Sequence, residues 1–371
     1  MTTVPAVTPI TPAERRPPTP RGPGGRSLAR SGSRWFGADA VLGTLVRAAA
    51  VTILLMLAAL LVVLTMAAMP TIREYGFSFL TSSEWRPNEL ERPVTGPDGK
   101  VVIEDGEVLT ETLPPRFGAL PVIYGTFVSS ALALIFAIPL SLGAALFLVR
   151  VAKPWLAKPT SFLIEFLAAI PSIAYGLWGL FVLAPFLQRH VEPFLRDTVG
   201  KVPGLGWMFY DGERAIALNG RDMFCGGLVL GIMVLPIITA ISRDVLQAVP
   251  RIQIEGTLAL GATWWQSCKE MLRYSRSGLF GAIMLGLARA AGETMAVTMV
   301  IGNNNQIEPS PFQPAQTMSS LLANEFAEAA SPIHRSALIE VALILLVMSL
   351  AFNVIARWLV VGGGARTSAA H

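Results

Sequence analysis

Six apolar stretches, each long enough to cross a membrane, follow one another along the chain. They occupy residues of about 45–69, 121–149, 159–187, 223–247, 279–302 and 335–361. A helix needs roughly 20 apolar residues to cross about 30 Å of hydrocarbon. Prolines inside several stretches indicate kinks, because neighbouring helices in a bundle can satisfy the backbone groups that proline frees. The pattern predicts an all-α membrane protein with six transmembrane helices.

The fifth stretch contains charged residues where a membrane helix would be apolar. Residues 282–303 have the sequence AIMLGLARAAGETMAVTMVIGN, in which Arg289 and Glu293 are four residues apart. On a continuous helix, opposite charges at this spacing share a face and can pair. Small residues that allow close helix packing lie on the same face: Ala282, Gly286 and Ala296. Since charges inside a membrane usually face protein or a watery path, we expect this helix to lie inside the bundle.

Composition supports the membrane interpretation and excludes several functions. Of 371 residues, 53% are hydrophobic and 15% charged, with a mean hydropathy of +0.55, too little polar residue to cover a soluble globule. Cys225 and Cys268 should lie near opposite membrane faces, so neither a disulfide nor a metal site is expected. The chain has no phosphate-binding G-x4-G-K-[ST] motif and no Ser/His/Asp or Cys/His arrangement. We therefore predict no catalytic residue and no cofactor.

The distribution of lysine and arginine predicts the orientation. The N-terminal tail, the connection after the second stretch and the loop after the fourth carry excess positive charge. Residues 70–119 contain nine acids and five bases, and residues 303–334 contain three acids and no base. Because excess positive charge stays in the cytoplasm, both termini are expected there. The isoelectric point of about 9.3 thus reflects topology, and no nucleic-acid partner is predicted.

The same patterns divide the chain into segments. Residues 1–43 form a basic, proline-rich cytoplasmic tail too polar to build a core, followed by the first transmembrane helix at 44–69. In the extracytoplasmic insertion at 70–119, turn residues at 97–100 alternate with β-branched residues, which favours a small β-hairpin. The transmembrane domain follows at 120–361, and a short cytoplasmic tail at 362–371.

The cytoplasmic loop at 248–278 has helix signals on both sides of a glycine. Pro250 suits a first helical turn, and Gly261 interrupts the helix that follows. Thr263 stands three residues before Gln266, the spacing of a capping box, so a second helix should begin at Trp264. Trp264 and its neighbour Trp265 would then face the cytoplasm. Taken alone, this pattern fits a docking surface and an ordinary amphipathic loop about equally well.

Here the chain resembles a known family. Glu255 and Gly261, with their spacing, resemble the E-A-A-x3-G loop of ABC importer permeases, although Gly256-Thr257 replaces Ala-Ala and the usual Leu-Pro is missing at 272–274. Three segments resemble the PstC-type phosphate importer permeases more specifically: 117–149, 168–185 and 286–303. The resemblance covers about residues 117–360 and implies a six-helix permease bundle in the bacterial inner membrane.

The resemblance also implies partners and sites. The partners would be a second, PstA-like permease subunit, two copies of an ATPase subunit and an external phosphate-binding protein, with membrane lipid around the bundle. The ATPase would contact four residues of the loop: Glu255, Gly256, Gly261 and Ala262. The transported ion would be phosphate, and Arg289, partly offset by Glu293, could admit an anion without trapping it. Ser172 and Tyr175, just after a proline kink, could add hydroxyl donors.

Several alternatives remain open at this stage. The charged pair could be an ion pair that only fixes packing, and the two hydroxyls could bond between helices. Glu165 and Glu340 are weaker candidates for the pathway, and the Gly227–Gly231 face is most simply a packing surface. The substrate could be another tetrahedral oxyanion, such as sulfate or molybdate. An ion-coupled carrier, which commonly has inverted repeats, or a membrane-bound scaffold is also conceivable.

Overall fold

Helices make up nearly all the regular structure in the described part of the chain. The computed structural model describes residues 35–93, 103–104, 107–108, 110–212 and 214–364. In chain order its helices are α1 (Trp35–Tyr75), α2 (Ser78–Thr81), α3 (Leu120–Arg150), α4 (Pro154–Ala168), α5 (Ser172–Trp178), α6 (Ala184–Phe186), α7 (Glu192–Thr198), α8 (Met223–Gln247), α9 (Arg251–Ala259), α10 (Trp264–Tyr274), α11 (Arg276–Ala291), α12 (Met295–Val300), α13 (Met318–Glu325) and α14 (Pro332–Gly364). Single π-helical turns at Gly179–Leu183 and Leu187–Val191 join α5, α6 and α7, and short 3-10 turns follow at Val199–Lys201 and Gly206–Met208.

Four of these helices are long and apolar enough to cross a membrane. They are Ala40–Tyr75, Leu120–Arg150, Met223–Gln247 and Pro332–Ile355, which coincide with four of the six expected stretches. The third stretch is divided into Pro154–Ala168 and Ser172–Lys201, which bend by 89° and give a fifth span if counted together. Pro171 stands at the bend, where it precedes the first residue of α5. The described residues thus supply four or five spans, and the count of six stays a prediction.

The fifth stretch differs from the sequence-based prediction. Instead of one helix over 282–303, α11 ends at Ala291 and α12 begins at Met295. Gly292 ends α11, and its exposed backbone carries no side chain to pack against the next turn. The prediction of one continuous helix was wrong, because helical periodicity cannot detect a break of three residues.

Close backbone contacts bring α3 against α8. A Cβ added at Gly227 would lie 2.6 Å from Leu132 Cβ, and one added at Gly231 would lie 3.0 Å from the carbonyl oxygen of Ala133. The Ser141 hydroxyl donates to the carbonyl of Leu235 across the same interface at 3.1 Å. The glycines therefore act as a packing surface, as their spacing indicated.

Helix α11 packs against α8 in a similar way, in a cluster that α3 joins through Ala137. A Cβ on Gly286 would lie 2.6 Å from Ile238 Cδ1, and Ala282 is buried in the same cluster. Ala296 on α12 packs instead against α5, where a Cβ on Gly176 would come within 2.9 Å of its Cα. Ala282, Gly286 and Ala296 do allow close approach. Because of the break, however, the first two pack against α8 and Ala296 packs against α5.

Short antiparallel strand pairs are the only sheet structure in the described residues. β1 (Leu90–Pro93) pairs with β4 (Thr110–Leu113), β2 (Ile103–Glu104) with β3 (Glu107–Val108), and β5 (Tyr210–Asp211) with β6 (Arg214–Ala215). The turn expected at 97–100 lies outside the described residues, as do most of the N-terminal tail and the last seven residues. The extracytoplasmic position of the β1–β4 segment stays a prediction.

Aromatic residues on both sides of these strands attach them to the bundle. The Trp85 indole N–H donates to Glu325 Oε2 at 2.8 Å, and His334 Nε2 lies 3.0 Å from the same oxygen. Phe117 stacks on the His334 ring at a centroid distance of 5.5 Å. The insertion is thereby fixed to α13 and α14 at its base.

The α3–α8 contact gives a prediction with a matched control. Gly227→Ala should destabilise the fold by about 1–3 kcal/mol, because its methyl group overlaps Leu132 and overpacking costs energy of this size. Gly143→Ala, also within a helix but with no atom within 4 Å of the added Cβ, should be neutral or stabilise by up to about 1 kcal/mol. The measurement is the thermal unfolding midpoint of each purified variant in detergent. Equal midpoints for the two variants would contradict the close contact.

Candidate functional site

The break between α11 and α12 places a carboxylate at the start of a helix. Glu293 lies in the break, and its Oε1 accepts the backbone N–H of Ala296 at 3.5 Å. Its carbonyl oxygen accepts the hydroxyl of Ser319, at the start of α13, at 2.6 Å. The break is therefore fixed from two sides, by its own side chain and by the neighbouring helix.

Arg289 lies in the last turn of α11 and lines an open cavity of about 490 Å³ together with Glu293. The remaining lining residues are Ile237, Leu285, Ala288 and Gly292. Arg289 is exposed and Glu293 half-buried. Within the described residues no ion pair joins them at 4 Å or less, so the expected i,i+4 pair is not formed.

Helix dipoles explain why the two charges are separate. A cation is stabilised by the C-terminal end of a helix and an anion by the N-terminal end. Arg289 is at the C-terminal end of α11 and Glu293 precedes α12, so each charge interacts favourably with its own helix. Pairing across the break is not needed to hold either one. The guanidinium is consequently left open to the cavity, where it can contact an anion.

Ser172 and Tyr175 are not part of this cavity. Tyr175 donates its hydroxyl to the carbonyl of Leu167 at 2.9 Å, across the bend between α4 and α5. Ser172 is the first residue of α5 and is half-buried. The tyrosine contact favours the alternative in which the hydroxyl bonds between helices, and a pathway role for either residue stays a proposal.

The two weaker acidic candidates have different surroundings. Glu165 on α4 pairs with Arg243 on α8 at 3.1 Å, and Arg243 also contacts Asp244 at 3.0 Å. Glu165 therefore fixes α4 to the end of α8. Glu340 is buried in α14, and its Oε2 has no hydrogen-bond partner among the described residues. Neither residue lines the cavity at Arg289.

The loop after α8 has the predicted helix, glycine turn and helix. Gly261, at a φ of +85°, ends α9 with the backbone N–H of Ala262 bonded to the carbonyl of Thr257 at 3.2 Å. This i−5 bond is a Schellman ending, which needs the left-handed conformation that glycine adopts without strain. Thr263 and Gln266 form the predicted capping box at the start of α10, with bonds of 2.7 and 3.3 Å.

A side-chain contact connects the two helices of this loop, and their outer surface is open. The Thr257 hydroxyl lies 3.3 Å from that of Ser267, between α9 and α10. Glu255, Gly256 and Gly261 are exposed, whereas Ala262 is half-buried. Large apolar side chains beside them are exposed as well: Ile252, Leu258, Leu260, Trp264 and Trp265. Leu260 is 90% exposed, so this surface is apolar without being packed on the chain's own bundle.

Sequence reasoning missed a pair of buried carboxyls. Asp222 caps α8 by accepting the N–H of Cys225 at 2.8 Å, and Glu192 begins α7. Both are fully buried and close enough for their charges to interact, and neither Glu192 oxygen has a hydrogen-bond partner among the described residues. Burial, with the nearby Glu192 charge, raises the pKa of Asp222 to about 8. The helix-start pattern could have indicated Asp222, but Glu192 has no signal in its local sequence.

Taken together, the long apolar helices, the broken polar segment and the open loop define a multi-pass membrane protein of the transport class. Residues 118–361 match the family described as the binding-protein-dependent transport system inner membrane component, and the chain belongs to this family. It is therefore a multi-pass protein of the inner membrane.

The chain is also similar to curated proteins over most of its length. It is 39% identical to the phosphate transport system permease protein PstC of Mesorhizobium japonicum, over 89% of this chain and 92% of that one. It is 38% identical to the PstC of Haemophilus influenzae, over 84% of this chain and 89% of that one. With PstC 1 of Mycobacterium tuberculosis it shares 37% identity, over 79% of this chain and 84% of that one.

Among solved structures, the chain is similar to an inward-facing MetNI methionine ABC transporter. The TM-score is 0.42 at 18% identity, covering 65% of this chain and 94% of that one. The family membership rests on the sequence matches.

The carboxyl pair predicts an unusual dependence of stability on pH. Because the pKa of Asp222 is about 8 in the fold and 3.8 ordinarily, the folded state holds this proton more tightly, and stability falls as pH rises from about 4 to about 8. Asp222→Asn keeps the cap, removes the titration and can donate to Glu192. It should match the wild type near pH 3, below both pKa values, and exceed it above pH 8 by a few kcal/mol, since one pKa unit corresponds to about 1.4 kcal/mol.

The measurement is the thermal unfolding midpoint in detergent at both pH values. The control is Asp197→Asn, which changes an exposed acid on α7, the helix that Glu192 begins. This variant should leave the pH profile unchanged. A constant difference between Asp222→Asn and the wild type at both pH values would contradict the raised pKa.

Proposed function

We propose that this chain is the permease subunit of an ATP-driven phosphate importer and forms half of the phosphate pathway. The observation that carries the proposal is Arg289, which is exposed to a cavity at a helix break and has no ion pair with Glu293. The relatives, named phosphate transport permeases, support phosphate as the transported ion. The chain itself is not catalytic in this proposal, and ATP is hydrolysed by a partner.

Charge balance at the break suits an ion that must pass without being held. The Arg289 guanidinium offers a forked set of N–H donors, which match the oxygens of a tetrahedral oxyanion. Glu293 lines the same cavity and lowers the local positive potential. Conduction requires a site favourable enough to admit the ion and weak enough to release it. Arg289 would attract phosphate while Glu293 would prevent tight binding.

The exposed loop supplies the proposed connection to ATP hydrolysis. Its two helices are joined by the Thr257–Ser267 contact and a glycine ending, so a force applied to α9 is carried to α10 and on to α11. The ATPase would contact Glu255, Gly256, Gly261 and Ala262, on the cytoplasmic side that the charge distribution predicts. A PstA-like permease would form the other half of the pathway, with two ATPase copies inside and a phosphate-binding protein outside.

ATP-dependent uptake by the purified complex tests this function. We expect a tag on this chain to bring down one different permease and an ATPase, and the complex in proteoliposomes to take up phosphate only with ATP. An ion-coupled carrier would need an ion gradient in place of ATP, and a scaffold would transport nothing. Uptake of sulfate or molybdate in preference to phosphate would contradict the proposed substrate.

A variant of the glycine turn in the loop tests the proposed coupling to ATP hydrolysis. Gly261→Arg should leave the chain in the membrane but separate ATP hydrolysis from uptake, because a side chain at a φ of +85° strains the turn. Gly204→Arg is the matched control, because Gly204 has a similar φ of +89°, no atom within 4 Å of an added Cβ and a position outside this loop, so the variant should retain uptake. Normal uptake by Gly261→Arg would count against ATPase docking at this loop.

The charged residues of the break give a separate prediction. Arg289→Gln should abolish phosphate uptake, because Glu293 then repels the anion without an opposing charge. Glu293→Gln should affect admission less but slow release, since Arg289 becomes an unbalanced cation. Uptake is compared at equal membrane abundance, with the double variant included. Near-wild-type uptake by the double variant would show that the two charges matter only to packing.

A further inference from the structure

A second open cavity, larger than the one at Arg289, lies beside the start of α8. Its volume is about 710 Å³, and it is lined by residues of α6, of the π-helical turns on either side of it, of the loop before α8 and of the segment after α12: Leu180, Phe181, Ala184, Pro185, Gln188, Asn219, Arg221, Gly302 and Pro314. Three of these side chains are polar, namely Gln188, Asn219 and Arg221. No acidic side chain lines it among the residues that the structure describes.

Two glycines fix the backbone that carries Arg221. Gly220, at a φ of +67°, lies so close to α6 that an added Cβ would be 2.3 Å from the carbonyl oxygen of Ala184. Gly302, at a φ of +93°, lies so close on the other side that its Cβ would be 2.8 Å from the carbonyl oxygen of Arg221. The loop is held between α6 and the end of α12, and Arg221 has a defined position at the cavity edge.

The nearest acid in sequence does not pair with the Arg221 guanidinium. Asp222 is fully buried, caps α8 and faces Glu192, so it is not available as a surface partner. Arg221 is exposed and forms no ion pair within the described residues. Gln188 is oriented toward the same loop, since its Nε2 donates to the carbonyl of Leu218 at 3.2 Å. Within the described part of the chain, a positive charge and two carboxamides therefore line the cavity without a carboxylate.

We propose that this cavity is a second oxyanion site, with Arg221 as its charged contact and Gln188 and Asn219 as amide donors. Guanidinium and carboxamide N–H groups together fit a tetrahedral oxyanion, and an unpaired cation selects for negative charge. The site rests on the proposed function and would receive phosphate before it reaches Arg289.

The short helix α12 lies between the break near Arg289 and the segment that contacts the Arg221 backbone. This helix begins two residues after Glu293 and ends two residues before Gly302, which contacts the Arg221 backbone. Six helical residues extend about 9 Å, so one short helix separates the two ends of the segment. Charge distribution predicts the Gly302 end outside and the Arg289 end deeper in the bundle. Arg221 would therefore hold the incoming anion, and Arg289 would pass it onward.

Charge exchange at position 221 tests the site in the purified complex. Arg221→Cys should lower phosphate uptake by about ten-fold or more, the size expected for losing a hydrogen bond to a charged group. Modification with aminoethyl methanethiosulfonate, which adds a cation, should restore much of the uptake. Sulfonatoethyl methanethiosulfonate, which adds an anion, should not. Phosphate should also slow the modification, because a bound anion covers the thiol.

The chain offers good controls for this experiment. Cys225 and Cys268 are both buried, so the treated wild type serves as the blank. Arg214→Cys changes an exposed arginine on β6 that does not line the cavity, and its uptake should be close to wild type and equal with either reagent. If Arg221→Cys assembles poorly, modification of the small assembled fraction still reports whether the sign of the charge matters.

Two results would overturn the site. One is uptake by Arg221→Cys that equals wild type, and the other is an equal response to the cationic and anionic reagents. Failure of the proposed function has a different signature, because the wild-type complex would then transport another anion or none. If the wild-type complex transports another oxyanion, the uptake of that oxyanion by Arg221→Cys, before and after treatment with the two reagents, still tests the site. If the wild type transports none, protection of the thiol by phosphate decides whether the cavity binds it.

Discussion

The close packing of α3 and α11 against α8 is the constraint on which the rest of the structure depends. Gly227 and Gly231 bring α3 to the backbone of α8, and Gly286 brings α11 to Ile238 of α8. In a membrane, lipid tails are as apolar as the helices, so van der Waals contact and interhelical hydrogen bonds provide most of the attraction. Residues without side chains make that contact close enough to fix the helix positions.

This packing explains why the broken segment can exist. A helix break leaves backbone N–H and C=O groups without partners, which is costly away from water unless other groups satisfy them. Here Glu293 accepts the N–H of Ala296, and Ser319 donates to the Glu293 carbonyl. Thr126 on α3 accepts the N–H of Met318, which holds the start of α13 in place. The break is a supported feature of the bundle, and the cavity at Arg289 results from it.

The same packing determines which charged side chains near α8 are buried and which are exposed. Asp222 is needed at the start of the helix and is buried with Glu192, whereas the adjacent Arg221 is exposed to a cavity. Arg289 and Glu293 are likewise separated, each at the favourable end of its own helix. Charges that could have neutralised each other are thus kept apart. Positive side chains consequently remain available at both ends of the α12 segment, which fits a protein that handles an anion.

Local signals in the sequence were sufficient for several features. Hydrophobic runs predicted the four long spans, and Thr263, Gln266 and Gly261 predicted the turn between α9 and α10. Helix caps and glycine turns are formed by residues a few positions apart, so their spacing alone determines them. The glycine spacing of Gly227 and Gly231 predicted a packing face for the same reason. Arg289 and Glu293 were found because charge is rare in an apolar run.

The tertiary structure decided how these residues are arranged. It broke the fifth stretch at Gly292, separated Arg289 from Glu293, bent the third stretch by 89° and directed the Tyr175 hydroxyl to Leu167. It also brought Glu192 to Asp222, thirty residues further along the chain, and placed Arg221 beside Gln188. These contacts depend on which helices are neighbours in space. A single sequence gives the apolar period of each helix but not the partner that satisfies its polar groups, and that partner determines where a helix can break and which charges stay unpaired.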